Sequence, residues 1–212
     1  MRADPPEPST LPHPSDPDRA TVAVLARSSW PATRPALAAA EHLGALLAGH
    51  GLTVATTGYG DLVAAVSRGV ALAGGCSVGF PVRTWRAEPT AWLTEVRWVP
   101  DSYAQCAALG AHPAIVTLGP SPGSLAEAAF AWQIAGRRAE LVLVGEDWHH
   151  WLAALWRWLV PRRSDLSTVA VVDEVTDVVP RLERALAGRS DGGARLGSAG
   201  PGVASGEGST AG

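Results

Sequence analysis

Short apolar stretches alternate with longer amphipathic stretches along the middle of the chain. The short ones are rich in Val, Leu, Ala and Ile and lack a polar alternation, which is typical of strands buried on both faces of a sheet. The longer ones repeat apolar residues every three or four positions, as in the segment 35–50, where Leu37, Ala40, Leu43 and Leu47 share one face. This alternation predicts a parallel sheet with right-handed helical crossovers.

The pattern predicts one strand and one helix in turn along most of the chain. Strands are expected at 21–26, 52–57, 77–82, 95–99, 114–118, 140–144 and 168–172. Helices are expected at 35–50, 61–73, 102–109, 124–135, 148–160 and 177–187. The predicted fold class is α/β, a doubly wound parallel sheet of Rossmann-like type in a single domain. In such folds ligands bind at the carboxyl ends of the strands, near the point where strand order reverses.

Composition sets the limits of this domain. Six of the 17 Pro residues lie in the N-terminal stretch between Pro5 and Pro17, so residues 1–20 are expected to be disordered. Residues 189–212 are rich in Gly, Ser and Ala without an apolar period, and they are expected to form a flexible tail. The domain is therefore expected at 21–188, a length that suffices for a single core.

Charge and cysteine content exclude several classes of protein. The 17 basic residues are all Arg, and with 20 acidic residues they give a formal charge of −3, which disfavours general nucleic-acid binding. Two Cys residues cannot build a disulfide framework. No apolar run reaches the roughly 18 residues of a membrane-spanning helix, and no signal peptide opens the chain. We therefore expect a soluble cytoplasmic protein that binds neither nucleic acid nor membrane.

Polar and Gly-rich segments follow three of the predicted strands. Helix N-termini suit phosphate because their N–H groups are unpaired, and Gly lets the backbone approach an anion. An ordinary tight turn is the alternative reading of each loop taken alone, and Asp61 would oppose an anion bound beside it. The candidate phosphate-binding residues are Ser28, Ser29, Thr57, Gly58, Gly60, Ser121, Gly123 and Ser124.

Several motifs fall in an order that identifies a family. They are Arg27-Ser28-Ser29, Leu43-Gly44 with Leu47-Ala48 and Gly51, Thr57-Gly58 before Asp61, Gly74-Gly75 through Pro81, and Leu93-Thr94-Glu95. This order resembles the LOG (Lonely Guy) family, often mislabelled lysine decarboxylases, and the wider group of related Rossmann-like nucleotide-binding proteins. The resemblance implies cleavage of the N-glycosidic bond of a nucleoside 5′-monophosphate, which releases ribose 5-phosphate and a free base.

The signature of that family is altered in this chain. Its Pro-Gly-Gly-x-Gly-Thr-x-x-Glu motif reads here as the segment 119–127, in which Gly123, Ser124 and Glu127 match and the leading Pro-Gly-Gly does not. The resemblance implies Glu127 as the catalytic carboxylate and places Gln105 where the family has a functional Arg. Gln carries no charge, so the resemblance also implies a large loss of rate.

Three functions stay open at this point. The first is a LOG-like protein that binds a nucleotide or another phosphorylated small ligand, with weak phosphoribohydrolase activity. The second is a catalytically inactive pseudoenzyme that serves as a binding or interaction module. The third is a carrier of a phosphorylated cofactor, as molybdenum-cofactor carriers of the same superfamily are. No resident cofactor is predicted for the first two.

Other polar residues support weaker hypotheses. His149-His150 after Asp147 invites a metal site, but adjacent His residues point to different faces of a helix and no second cluster supports them. Cys76 and Cys106 are interpreted as inert thiols rather than reactive ones. Aromatic residues lie on more than one face of the predicted helix 148–160, which, with the family resemblance, predicts a homodimer.

Overall fold

Seven parallel strands form one sheet in the part of the chain that the structure describes. The computed structural model describes residues 20–26, 31–136, 139–159 and 166–190, with the helix ends 155–159 and 186–190 described by backbone alone. The strands are β1 (Thr21–Ala26), β2 (Thr53–Thr56), β3 (Ser77–Gly79), β4 (Glu95–Val96), β5 (Ala114–Leu118), β6 (Glu140–Val144) and β7 (Val169–Val172). The helices are α1 (Arg34–Gly49), α2 (Asp61–Leu72), α3 (Ser102–Gly110), α4 (Pro122–Ile134), α5 (Asp147–Leu159) and α6 (Val178–Ser190).

The strand order creates a crevice at the centre of the sheet. The order is β4-β3-β2-β1-β5-β6-β7, with every neighbouring pair parallel. The chain builds outward from β1 in one direction and then returns to build outward from β5 in the other. The order therefore reverses between β1 and β5, and the carboxyl ends of these strands flank the expected ligand position. The predicted fold class is confirmed.

Two apolar cores, one on each face of the sheet, account for the continuous apolar runs. In β1, Val22 and Val24 pack into one core while Ala23 and Leu25 pack into the other, and all four are fully buried. Burying one such aliphatic side chain stabilises the fold by about 1.5–3 kcal/mol, so a polar residue on either face would be costly. Helices α1, α2 and α6 cover the first face, and α3, α4 and α5 cover the second.

Helices α1 and α2 approach each other unusually closely. A Cβ atom built on Gly69 would lie 1.9 Å from the carbonyl oxygen of Glu41, and one built on Gly44 would lie 2.1 Å from that of Val66. Both neighbouring atoms belong to backbone, which cannot step aside as a side-chain tip can. The close crossing of the two helices therefore requires glycine at both positions.

Helix α4 begins at Pro122, two residues before the predicted start at Ser124. Ser121 is the N-cap, and its side chain accepts a hydrogen bond from the backbone N–H of Ser124. Proline fits the first helical turn because its missing N–H would have no acceptor inside the helix. The Ser-x-x-Ser spacing thus moves part of the predicted loop into the helix.

Two strands end three residues before their predicted ends. β3 ends at Gly79 rather than at 82, and β4 ends at Val96 rather than at 99. Pro81 has no N–H to donate to a ladder, and beyond it only a single bridge joins Val82 to Val99. This early end leaves the backbone after β3 free to form the 3-10 turn Arg83–Trp85.

The predicted tails lie outside the described residues, apart from Ala20 and the last two residues of α6. The domain limits 21–188 therefore stay a prediction. Among the described helices, none combines the length and the apolar character that a membrane-spanning segment requires.

Candidate functional site

The candidate residues gather at the carboxyl edge of the sheet. Thr57, Gly58 and Gly60 lie between β2 and α2, and the segment 121–124 lies directly after β5 at the start of α4. Because β1 pairs with both β2 and β5, these two connections flank the central crevice. Ser28 and Ser29 follow β1 and, together with Arg27, lie outside the described residues.

The N-terminus of α2 is open. Gly60 is the N-cap with φ of 96°, a conformation that favours glycine, and it supplies no side chain to cap the helix. The first intrahelical bond runs from the N–H of Ala64 to the carbonyl of Gly60 at 2.8 Å. The N–H groups of residues 61–63 therefore have no acceptor within the helix and are available to an anion. Asp61, exposed at the first helical position, opposes such an anion.

The N-terminus of α4 is largely closed by its own side chains. Ser121 Oγ accepts from the N–H of Ser124 at 3.0 Å, and Ser124 Oγ accepts from the N–H of Ser121 at 2.9 Å. The Ser124 hydroxyl donates to the carbonyl of Gly119 at 2.9 Å. Since Pro122 has no N–H, Gly123 carries the first-turn N–H group outside this network. Both hydroxyls thus act in capping, and α4 offers fewer donors than α2.

Gln105 joins two loops from inside the fold. Its side chain is fully buried, and Nε2 donates to the carbonyl of Phe80 at 2.6 Å and to that of Thr57 at 3.5 Å. With both amide hydrogens directed to backbone carbonyls, Oε1 is left buried without a hydrogen-bond partner. The structure thus places Gln105 as a strut between the segments after β2 and β3, and its contact with a ligand stays a prediction.

Glu127 lies on the second turn of α4, whereas the predicted start at Ser124 would put it on the first turn, because the helix begins at Pro122. The carboxyl is partly buried, and burial raises its pKa to about 7. Burial is the sole cause of this pKa shift among the described residues, so no arginine there compensates the charge. Near neutral pH the carboxyl is therefore poised between its two protonation states.

Tyr59 is a member of the site that sequence reasoning missed. Burial raises the pKa of its hydroxyl to about 12; Gln105 offsets part of that rise, and the charge of Glu127 adds to it. Gln105 is close enough to affect this pKa, but the hydroxyl is buried without a partner in hydrogen-bond geometry. An aromatic residue between two glycines, Gly58 and Gly60, was the signal available in the sequence.

Cys106 completes this group of side chains. Burial raises the pKa of its thiol to about 11, and the charge of Glu127 contributes further. A thiol with such a pKa is protonated at neutral pH and makes a poor nucleophile, which agrees with the inert interpretation. We call Tyr59, Gln105, Cys106 and Glu127 the Tyr59–Glu127 cluster. Neither Cys106 nor the buried Cys76 forms a disulfide.

The histidine pair builds no metal centre in the described ranges. There, no three His, Cys, Asp or Glu side chains come together as metal ligands would. His149 Nε2 instead lies 2.8 Å from Asp173 Oδ1, in an exposed contact between α5 and the segment after β7. Such an exposed pair contributes little to stability.

An apolar groove of about 560 Å³ separates α4 from α5. Trp132 and Leu125 line it from α4, and Trp148 and Trp151 line it from α5. Trp148 is fully buried, whereas Trp151 is 40% exposed at the rim. One tryptophan of α5 therefore belongs to the core, and another leaves apolar surface open to solvent.

Comparison with known proteins gives one family and several structural neighbours. The model of the SLOG cluster4 family matches residues 19–148. The molybdenum cofactor carrier protein from Chlamydomonas reinhardtii superposes with a TM-score of 0.63 at 19% identity, over 80% of this chain and 99% of that one. The molybdenum cofactor binding protein from the phototrophic bacterium Rippkaea orientalis gives 0.63 at 18% identity, over 79% and 98%.

A more distant neighbour is DNA processing protein A from Streptococcus pneumoniae. It superposes with a TM-score of 0.54 at 12% identity, over 76% of this chain and 61% of that one. At these identities the structural neighbours establish a shared fold alone. Among curated proteins, no match is found.

Proposed function

The chain belongs to the SLOG cluster4 family, and from that premise we propose that it binds a nucleotide or another phosphorylated small ligand at the carboxyl edge of its sheet. The resemblance to LOG proteins is confirmed at the level of the superfamily, since the SLOG superfamily includes LOG-like Rossmann-type proteins. The binding site of the proposal comprises the loops after β2 and β5 and the Tyr59–Glu127 cluster.

The observation that carries the proposal is the uncompensated polarity of that cluster. Glu127 is partly buried with its pKa at about 7, and two neighbouring polar atoms, Tyr59 Oη and Gln105 Oε1, are buried without partners. Buried polar groups without partners destabilise a fold by about 1–3 kcal/mol each, and these two lie near a carboxyl whose ionised form burial also disfavours. Polar groups with perturbed pKa values at the switch point of a doubly wound sheet are typical of ligand sites.

The open end of α2 supports a phosphate at this edge. The N–H groups of residues 61–63 supply hydrogen-bond donors, and the glycines at 58 and 60 let the backbone approach the phosphate closely. At α4, by contrast, the backbone N–H groups of Ser121 and Ser124 are already bonded to each other's hydroxyl oxygens. We therefore propose that the phosphate lies nearer to α2 than to α4, with Gly123 contributing one N–H group.

Thermal shift and product analysis test the proposal together. We expect at least one member of a panel of nucleoside 5′-monophosphates to raise the unfolding midpoint of the full chain. Glu127→Gln should change the affinity for that ligand, whereas Glu183→Gln on the exposed face of α6 should not. A panel that produces neither a thermal shift nor a released base would contradict the proposal. Mass spectrometry of a ligand that copurifies would identify the occupant, including a molybdenum cofactor of the kind named for the structural neighbours.

A second candidate function is weak hydrolysis of the bound nucleotide, and the position of Glu127 favours it. An ionised carboxylate can take a proton from water as the water oxygen bonds to C1′ of the ribose and the electron pair of the N-glycosidic bond leaves with the base nitrogen. The carboxyl group then returns that proton, through solvent, to the base nitrogen, which releases the neutral base and ribose 5-phosphate and restores the carboxylate. Gln105 brings no positive charge to assist the leaving base, so turnover is expected to be slow.

This candidate has a definite pH dependence. Because burial raises the pKa of Glu127 to about 7, the carboxylate is the major form only above that pH, and the rate of base release should rise through pH 7 and then level off. Chromatography of the released base between pH 5.5 and 9 measures it. A rate that Glu127→Gln leaves intact would exclude Glu127 from catalysis, and a total absence of turnover would favour the pseudoenzyme interpretation.

Homodimerisation stays a prediction, and we propose the groove between α4 and α5 for it. Among the described residues that line the groove none is charged, and Trp151 stands exposed at its rim. A charge placed there would remain unpaired in an apolar interface, so Trp151→Glu should convert a dimer to monomers. Light scattering after size-exclusion chromatography measures the mass. The control Glu183→Gln should leave it unchanged, and a wild-type protein that is monomeric at micromolar concentration would refute the prediction.

A further inference from the structure

The turn that follows β3 is anchored beside the candidate site. Arg83–Trp85 forms a 3-10 turn just beyond the carboxyl end of the strand. The N–H of Arg83 donates to the carbonyl of Val99 at 2.9 Å, and a few residues later the N–H of Thr90 donates to the carbonyl of Gly58 at 2.9 Å. The turn is therefore tied at one end to the sheet edge and at the other to the loop between β2 and α2.

Trp85 presents an exposed indole directly next to the Tyr59–Glu127 cluster. Its ring centroid lies 5.5 Å from that of Tyr59, in an edge-to-face contact with an interplanar angle of 65°. The side chain is nevertheless 47% exposed. An edge-to-face neighbour leaves most of an aromatic face uncovered, so Trp85 has surface that a planar ring can cover.

Two arginines without carboxylate partners lie close to Trp85 in the sequence. Arg83 and Arg86 are exposed, and neither has an acidic side chain within salt-bridge distance in the described ranges. The guanidinium of Arg83 lies 5.8 Å from the ring centroid of Trp98, and Arg86 adopts a left-handed backbone with φ of 51°. By contrast, Arg68, Arg97 and Arg181 pair with Glu41, Glu95 and Glu140.

The turn carries positive charge, which the cluster itself lacks. Gln105 is neutral, its amide hydrogens are directed to backbone, and Tyr59, Cys106 and Glu127 carry either no charge or a negative one. A phosphate at the open end of α2 therefore meets N–H groups there but no cationic side chain of the cluster, and cations on a neighbouring turn would add to its binding. Guanidinium groups without carboxylate partners, on the same turn as an exposed indole, are suited to a ligand that joins a phosphate to a planar ring.

We infer that the turn 83–86 recognises a phosphorylated heteroaromatic ligand. Trp85 stacks on the planar ring, and Arg83 and Arg86 pair with the phosphate. This inference rests on the proposed function, because it concerns recognition of the same ligand at the same site. The turn itself carries none of the motifs behind the family resemblance.

Titration calorimetry of the full chain with adenosine 5′-monophosphate, adenosine and ribose 5-phosphate separates the two roles. Trp85→Ala should weaken the binding of the first two probes about tenfold and leave ribose 5-phosphate unchanged, since loss of one stacking contact has that effect. The double variant Arg83→Gln, Arg86→Gln should weaken the binding of the two phosphorylated probes about tenfold and leave adenosine unchanged. Unchanged unfolding midpoints will show that the variants fold.

Matched controls exist for both substitutions. Trp98 is 42% exposed but contacts Arg83 rather than Tyr59, so Trp98→Ala should leave adenosine binding unchanged. Arg184 is exposed on α6, and Arg184→Gln should leave all three affinities unchanged. Wild-type binding that the variants in the turn do not alter would overturn this inference while leaving the proposed function intact. Failure of the wild-type protein to bind any of the three probes would overturn both.

Discussion

Replacing Glu127 by Gln should stabilise the protein by about 3 kcal/mol at pH 8 and change its stability little at pH 4. Burial raises the pKa of this carboxyl from its ordinary value of 4.5 to about 7, so the folded state binds the proton more tightly than the unfolded state. The free energy of unfolding is therefore highest below pH 4.5, where the carboxyl is protonated in both states, and it falls as the pH rises from 4.5 to 7. Each pKa unit corresponds to about 1.4 kcal/mol, which gives the stated magnitude.

Urea unfolding at both pH values measures this effect. The control is Glu183→Gln, whose side chain is 65% exposed on α6 and should alter stability by less than about 0.5 kcal/mol at either pH. A Glu127→Gln variant that is no more stable than wild type at pH 8 would show that the carboxyl is solvated or paired with a cation. Stabilisation by this variant, together with altered ligand binding, would mean that the carboxylate is retained for function at the expense of stability.

Replacing Gly69 by Ala should destabilise the protein by about 3 kcal/mol. The added Cβ would lie 1.9 Å from the carbonyl oxygen of Glu41, and relief requires α1 and α2 to move apart. Because those helices cover one face of the sheet, their separation would loosen the core that includes Leu43 and Val66. Overpacking against rigid backbone has costs of this order. Gly44→Ala, with its Cβ at 2.1 Å from the carbonyl oxygen of Val66, should act in the same direction.

Gly49 provides a matched control at the end of α1. A Cβ there would meet nothing within 4 Å, so Gly49→Ala should leave stability unchanged or raise it by up to about 1 kcal/mol. Chemical denaturation of the three variants measures the difference. Equal effects of Gly49→Ala and Gly69→Ala would mean that helix propensity, rather than the close crossing, determines the effect of alanine.

Much of the fold could be predicted because its signals are local. β5 (Ala114–Leu118) and β6 (Glu140–Val144) have the predicted bounds, since each is a mostly apolar run, with Thr117 and Glu140 as its polar members, and is buried along its whole length. The start of α4 could have been placed correctly as well, because the Ser121–Ser124 spacing is itself a capping signal. The end of β3 was harder to place, because it depends on the contacts that Val82 makes with Val99.

The site could be predicted only in part. The sequence predicted that the Gly-rich loops and the start of the helix that carries Glu127 follow the strands, and the structure has them at the carboxyl edge of the sheet. That a ligand binds at this edge stays a prediction. It could not show that the side-chain amide of Gln105 donates a hydrogen bond to the carbonyl of Thr57, 48 residues away, or that the hydroxyl of Tyr59 is buried without a partner. Contacts between residues this far apart in the chain leave no recognisable pattern in the local sequence.

By itself, the amino-acid sequence determined the fold class, the order of strands and helices, and the family. Hydrophobic periodicity and turn residues are properties of a few consecutive positions. They can therefore be recognised without knowing which other segments of the chain pack against them. Only the tertiary structure decided the environment of Glu127 and the position of Trp85 next to Tyr59. A pKa depends on how much water surrounds a carboxyl and which charges lie nearby, and those quantities exist only once the segments after β2, β3 and β5 have come together.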